Sequence, residues 1–519
     1  MSANQPHILS IDLGTSGPKA ALVGLDGTIA ATAYRPVETL FLADGGAEQD
    51  GEAIWTAVKE AARAAVANGA VARSEVRGVI CASQYSSVIP VDRAGRPVMN
   101  MVVWMDGRGA PKRLARDYPA AGGFAGPLQQ LTWLRLHGLP PLPSGVDSLA
   151  HMRWIKFARP EVYDRTHAFL EPMDYVTMRL TGRATANQCS AFTLLLVDNR
   201  RLGRTTYSDH LLRLSGIDRA KLPALLPLDA IAGEILADVA ADLGLDPGTP
   251  VVSGFNDTQT GAMASLAFRG SHGGLSIGTT SVLSSHMTAK RTSIRYGILS
   301  NPSPVPETYF LMAENGLGGK AVEHVLTNLI YTEDGDRFAN LDRAVGSVAP
   351  GSGGVLFLPW LTGAMAPKED ARMRGGFLNL SLATTRAALA RAALESVAFN
   401  LRWLNRGVEK FLKRRLTHLM FYGGGAQSDQ WSGILADVLG LPIHRLANPR
   451  YANALGGGLL AFERLGLLGL DDFAARATID RVFEPRPEHA PCYDRLFEQF
   501  VAAFTATRPI CRALQDRGG

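Results

Sequence analysis

Cysteine is scarce in this chain. Only Cys81, Cys189, Cys492 and Cys511 occur in 519 residues. None is half of a CxxC pair and none sits in a histidine-rich cluster, so neither a disulfide framework nor a zinc site is expected. Cys81, inside the apolar run Val79-Ile80-Cys81-Ala82, reads as a small buried residue. No stretch of 18 or more apolar residues occurs, so no membrane-spanning helix is expected. The first strand begins near His7 and leaves no room for a signal peptide, so a cytoplasmic location is expected. Charge of either sign is modest: 53 Lys and Arg stand against 48 Asp and Glu, for a net +5. That balance suits an anionic small molecule without requiring one. No basic stripe interleaved with aromatics is present, so nucleic acid is not an expected partner. Low-complexity segments and short tandem repeats are also missing.

What the chain does carry is one device used twice. Ile11-Asp12-Leu13-Gly14-Thr15-Ser16 and Leu275-Ser276-Ile277-Gly278-Thr279-Thr280 each run an apolar strand into glycine and hydroxyl residues, then resume as a strand. Such a turn offers backbone N–H and side-chain O–H groups to phosphate oxygens. One copy in each half suggests two related lobes gripping a polyphosphate. The length also asks for two large domains. Turn formers cluster at Asp246-Pro247-Gly248-Thr249-Pro250 and place a seam there, giving lobes 1–247 and 248–519.

The N-terminal order is strand-strand-strand-helix-strand: His7–Leu13, Pro18–Leu25, Thr28–Tyr34, a helix at about Glu52–Ala67 with Ile54, Trp55, Val58 and Ala62 on one face, and Val76–Ala82. The second half starts comparably around Gly278. It continues with a long helix at about Arg386–Phe411, strand His418–Tyr422, helix Ser428–Gly440, strand Pro442–Leu446 and helix Ala452–Leu465. Alternating strands and helices predict an α/β fold with partly parallel sheets. Tyr493–Phe504 reads as a closing amphipathic helix.

Four positions carry candidate chemistry, each with a plainer alternative. Asp12 ends an apolar strand, where a carboxylate needs solvent, a partner or a cation; beside a phosphate cradle, Mg²⁺ is the useful one. The alternative is a turn aspartate. Lys19 begins the returning strand and can reach phosphate as a point charge, or it is a surface lysine. Asp257 lies between the strand Val251-Val252 and a helix expected near Gly261. It is either an N-cap or a general base that takes a proton from an attacking hydroxyl. Gly423-Gly424-Gly425-Ala426 joins a strand to a helix, which suits close approach of a flat anionic ligand or simply a tight turn.

In this order these residues resemble the FGGY carbohydrate kinases, most closely the xylulokinase-like branch. Further carriers are Glu48-Gln49-Asp50 with Trp55, Gln84, Trp104-Met105-Asp106-Gly107-Arg108, Pro172-Met173-Asp174-Tyr175, Leu180-Thr181-Gly182, Gly254, Phe357-Leu358-Pro359-Trp360-Leu361-Thr362-Gly363, Ser428, Trp431, Ala436-Asp437 and Ala454-Leu455-Gly456. The resemblance spans essentially the whole chain. It implies two actin/hexokinase-like ATPase lobes with RNase H-like cores and ATP·Mg²⁺ in the cleft between them. It implies Asp257 as catalytic base and Asp12 as metal-associated acid. Thr15, Ser16, Lys19, Gly278 and Thr279 are the implied phosphate contacts, and Gly424, Gly425 and Ala426 the implied adenosine pocket. Gly319 is implied as a further nucleotide contact, and a homodimer is a family-level expectation.

The acceptor side departs from the pattern. Gln84-Tyr85-Ser86-Ser87 stands where xylulokinases typically have Gln-Met-His-Gly. Met105 replaces Asn, and Thr258 replaces the usual Asn after the base. Gly363-Ala364-Met365-Ala366-Pro367 loses two charged groups. Exchanged polar partners alter hydroxyl discrimination strongly. Gln84, Tyr85, Trp104, Asp106, Arg108, Asp257 and Thr258 are the expected acceptor contacts. Inter-strand packing is the alternative for Tyr85 and Trp104, and a local ion pair for Asp106 and Arg108. The expected reaction is ATP-dependent phosphorylation of a ketopentose or related ketose or polyol. Deoxyketose, erythritol and glycerol remain as other acceptors, and a non-catalytic actin-like ATP-binding protein remains as the rival class.

Overall fold

The computed structural model describes residues 5–69, 71–332 and 337–515; residues 1–4 and 516–519, the outer ends of the two expected lobes, lie outside the described residues. Strands His7–Gly14 (β1), Gly17–Gly24 (β2) and Ile29–Tyr34 (β3) form an antiparallel meander. Helix Gly51–Asn68 (α1) follows, capped by Asp50, which accepts from the amides of Glu52 and Ala53 at 2.8 and 3.3 Å. Its buried face holds Ile54, Trp55, Val58 and Ala62, as the helical spacing predicts. Strand Val76–Ser83 (β4) then inserts parallel to β1. After a long, mainly helical excursion that includes Pro172–Thr181 (α2), the chain returns as Ile231–Glu234 (β5), Pro250–Val252 (β6) and Phe255–Asn256 (β7). These strands make one sheet in the order β5-β6-β4-β1-β2-β3, with β7 beside β4.

Helix Asp257–Ala264 (α3) leads out of that sheet. A second sheet is built from Gly273–Ile277 (β8), Thr280–Met287 (β9), Thr292–Ser293 (β10), Ile298–Pro302 (β11) and Tyr309–Leu317 (β12). The long helix Arg386–Leu412 (α4) precedes its remaining members. These are Leu419–Tyr422 (β13), helix Asp429–Leu439 (α5), Ile443–Leu446 (β14), helix Ala452–Arg464 (α6) and Ile479–Phe483 (β15). The strand order is β10-β11-β12-β9-β8-β13-β14-β15. Helix Ala490–Gln515 (α7) packs on α4 and α5.

The two sheets are joined by α6, which lies against α3 and against β1, β2 and β4. The approach is close: a Cβ on Gly456 would sit 1.8 Å from the Thr260 carbonyl oxygen, and one on Gly457 would sit 2.7 Å from the Ser10 hydroxyl oxygen. Glycine inside a helix costs about 1 kcal/mol relative to alanine, and this close crossing is what the cost secures. Around it an apolar cluster mixes the two halves, with Ile8, Val23, Ile80 and Phe255 against Tyr422, Leu459, Leu460 and Phe462.

Sheet membership divides the chain between Asn256 and Gly273, so the seam expected at 247/248 falls two strands early. Both β6 and β7 pair with β4. The turn formers serve a local bend instead, in which Thr249 donates its amide and its hydroxyl to the Asp246 carbonyl at 3.2 and 2.7 Å. Turn chemistry marks a change of direction, and a domain boundary is only one reason for one. Cys81 and Cys189 are buried, and all four cysteines are free.

Candidate active site

Strand register assembles the site. Asp12 lies opposite Ala82, and Ala82 opposite Phe255; Leu13 lies opposite Ser83, and Ser83 opposite Asn256. The next residues of the three parallel strands therefore emerge together at one sheet end: the Gly14–Thr15 turn, Gln84 and Asp257. Ligand sites in open α/β sheets form at this end of the strands.

Asp257 is the first residue of α3, which starts four residues earlier than the spacing suggested. The cap is its neighbour Asn256, whose Oδ1 accepts from the Thr258 amide at 2.9 Å. That removes the N-cap alternative for Asp257 and leaves its carboxylate to face the site. Burial, together with the nearby charge of Asp12, pushes Asp257 up to about 7; a hydrogen bond from Thr258 Oγ1 at 3.1 Å and the Lys19 ammonium act in the opposite direction. Asp12 is buried. Its Oδ2 is 3.4 Å from Lys19 Nζ and accepts from Asn453 Nδ2 at 3.5 Å, while its Oδ1 has no protein partner. Lys19 is held above its usual value, the Asp12 charge outweighing burial and Asp257 adding to it.

The first turn and the acceptor candidates are wired together. Thr15 Oγ1 donates to Gln84 Oε1 and accepts from Trp104 Nε1 at 3.0 Å. Gln49 Nε2 donates to the Thr15 carbonyl at 2.7 Å. Gln84 Nε2 and the Tyr85 hydroxyl are buried without a protein partner. Ser16 is exposed.

In the other half, Gly278 and Thr279 are exposed, and a Cβ on Gly278 would meet nothing within 4 Å. Gly319 lies beside this turn: its amide donates to the Gly278 carbonyl at 2.9 Å, and a Cβ there would sit 2.4 Å from that oxygen. Parallel pairing of β8 with β13 brings the Gly423–Gly425 turn against Ile277. Gly424 is exposed, while the Ala426 methyl is buried in the core, so Ala426 can offer a ligand only its backbone.

Asp106 and Arg108 are bonded to each other. Asp106 is fully buried, its oxygens taken by the amides of Ala47 and Arg108 and by the Arg108 guanidinium, which also reaches Glu48 at 2.6 Å and lies over Trp154. This is the local ion pair held open above, and it has no oxygen to spare for an acceptor. Three residues at the site were not anticipated. Asn453 bonds Asp12 across the lobes, and Tyr422 senses the Asp257 charge from the end of β13. Glu171 accepts from the Ser87 amide at 3.2 Å. An acid in the apolar run Phe169-Leu170-Glu171-Pro172 was the available signal for the last of these; no local pattern marks the other two.

Family models for the N-terminal and C-terminal domains of the FGGY carbohydrate kinases match residues 7–264 and 273–463. The chain belongs to the FGGY family of carbohydrate kinases. Among its relatives, a xylulose kinase from Staphylococcus epidermidis is 25% identical over 505 residues, covering 97% of each chain. A glycerol kinase from Gloeobacter violaceus is 29% identical over 485 residues, covering 92% of each. The crystal structure of a xylulose kinase from Rhodospirillum rubrum superposes with a TM-score of 0.82 at 26% identity, over 98% of this chain and all of that one. This FGGY kinase thus has the two-lobed actin/hexokinase-like ATPase fold and transfers a phosphoryl group from ATP to a sugar hydroxyl. Among its described residues no helix is long and apolar enough to cross a membrane, and no cluster of three His, Cys, Asp or Glu is placed to hold a metal.

Proposed function

We propose that this kinase phosphorylates a ketopentose of the xylulose type, or a related ketose or polyol, with Asp257 as the general base. The observation that carries the reading is the Asp257 carboxylate, poised at about 7, within reach of the Asp12 and Lys19 charges, and emerging with the Thr15 turn at the same sheet end from the far side of β4. A base needs a proton affinity near the working pH and a place within reach of the acceptor hydroxyl. Asp257 takes that proton as the oxygen attacks the γ-phosphorus. Lys19 and the two Gly-Thr turns offset charge on the phosphates, with Thr15, Ser16, Gly278 and Thr279 as contacts. Gly319, Gly424, Gly425 and the Ala426 backbone hold the nucleotide. Gln84, Tyr85, Trp104 and Thr258 face the sugar, and the unpartnered Gln84 amide nitrogen and Tyr85 hydroxyl are free to bond its oxygens.

Asp12 fits a Mg²⁺ role: Oδ1 is a buried carboxylate oxygen with no protein partner. A single carboxylate suffices because Mg²⁺ is commonly shared with phosphate oxygens and water. When bound it would neutralise phosphate charge. Xylulose kinases among the relatives favour the ketopentose. A cytoplasmic location and a homodimer belong to the same proposal, the latter to be measured by sedimentation velocity.

The test is ADP release with ATP and Mg²⁺ across D-xylulose, a deoxyketose, erythritol and glycerol. Sugar-dependent turnover with D-xylulose preferred is expected. ATP hydrolysis that ignores every member of the panel would overturn the proposal.

A further inference from the structure

Glu171 is a fully buried acid immediately ahead of α2, and it receives four hydrogen bonds. The hydroxyls of Ser148 and Thr193 donate to Oε1, and the Ser87 amide donates to Oε2 at 3.2 Å. The amide of Ser86 adds the fourth. All four donors are neutral. An apolar residue would fill the same space without the cost of burying a carboxylate. What only an acceptor can do is hold two consecutive backbone N–H groups pointing the same way.

Those two amides belong to an unusual turn. Ser86 has φ +59°, the left-handed region that residues other than glycine seldom enter. Successive amides around a left-handed residue form a concave nest for an anion, and here the Glu171 carboxyl fills it; burial pushes this group up to about 7, and the hydrogen bonds it receives act in the opposite direction. The turn is the expected acceptor segment. Tyr85, next in the chain to Ser86, lies 6.4 Å from the Phe192 ring with its hydroxyl buried and unpartnered. Both Glu171 and Asp257 act on that hydroxyl electrostatically. On the other side, Ser87 Oγ accepts from the Trp104 amide at 3.1 Å, and Trp104 reaches Thr15. Displacing the turn therefore moves Tyr85 relative to Asp257 and disturbs the contact with the phosphate side.

We infer that Glu171 is a positioning residue of the acceptor site, whose carboxylate pins the Gln84–Ser87 turn in its left-handed form and thereby helps decide which sugar is accepted. This rests on the kinase reading above. Glu171→Gln keeps the size but turns an amide donor toward one set of donors. Losing charge-assisted bonds of this kind is expected to raise KM for D-xylulose about tenfold or more. KM for ATP should stay within about twofold, and the ratio of kcat/KM for D-xylulose over glycerol should change. Ser86→Gly added to Glu171→Gln should recover part of the D-xylulose KM, because glycine takes φ +59° without the nest.

An unchanged acceptor KM, an equal rise in both KM values, or a lower melting temperature with no change in selectivity would each overturn the inference. So would failure of Ser86→Gly to rescue. If Glu171→Gln does not fold, Thr193→Val, which removes one donor from the same carboxylate, is read by the same criteria. A wild-type enzyme that phosphorylates none of the sugars refutes the proposed acceptor class, and the inference falls with it; active wild type with an indifferent Glu171 variant refutes the inference only.

Discussion

Replacing Asp257 by Asn removes a proton acceptor and a half-buried charge while keeping the shape of the side chain and its bond to Thr258. Two effects of opposite sign should follow. Sugar phosphorylation should fall by about 10²–10⁴-fold, the range a positioned general base contributes, while ATP binding survives. Stability should rise. In the folded chain the carboxyl titrates at about 7 against an ordinary 3.8, so the folded state holds its proton more tightly than the unfolded one. Wild-type stability linked to this group is then fully present below about pH 4 and is lost as pH climbs toward about 7. At 1.36 kcal/mol per pKa unit the ceiling is about 4 kcal/mol; screening by water at a partly exposed carboxylate reduces the working expectation to about 2 kcal/mol. Urea denaturation at pH 5 and pH 8 measures it: the variant's advantage over wild type should be larger at pH 8. Acceptor kcat/KM of the wild type should climb through about pH 7 as the base loses its proton. A variant with near-normal turnover refutes the base assignment. A variant whose advantage is equal at both pH values refutes the account of burial.

The remaining expectations are simpler. Lys19→Ala should raise KM for ATP or lower the rate by about tenfold; unchanged kinetics would make Lys19 only the counter-ion of Asp12. Arg108→Ala should destabilise by about 3–5 kcal/mol by stranding the buried Asp106, with acceptor KM unaltered in the folded fraction; a selective rise in that KM would return Arg108 to the acceptor site. Gly456→Ala should cost about 3 kcal/mol or more, because its Cβ would strike the Thr260 carbonyl and force α3 and α6 apart. A denaturation midpoint matching wild type would show that the crossing yields easily.

Local pattern carried much of this molecule. Strands β1, β4 and β8 and helices α1, α4 and α6 lie within a few residues of where periodicity and caps put them, because each buries a face set by its own spacing. Asp12, Lys19 and the two Gly-Thr turns stood out as candidates because polar groups at the ends of apolar strands are conspicuous. The start of α3 was missed because Asn256 and Asp257 are both good capping residues, and only the backbone decides which one caps.

The pairings across the chain belong to the tertiary structure. Register brings Thr15, Gln84 and Asp257 to one sheet end although they are far apart in sequence. Packing spends Asp106 on Arg108 and turns Glu171 onto the amides of Ser86 and Ser87. Sequence by itself determined that the chain is an α/β protein of the FGGY kinases, since alternating strands and helices set the class and motifs in a fixed order along the whole chain carry the family resemblance. The order of its strands, the poise of Asp257 and the form of the acceptor turn were decided only by the fold. Each depends on which distant groups share a low-dielectric space, and no local pattern records that.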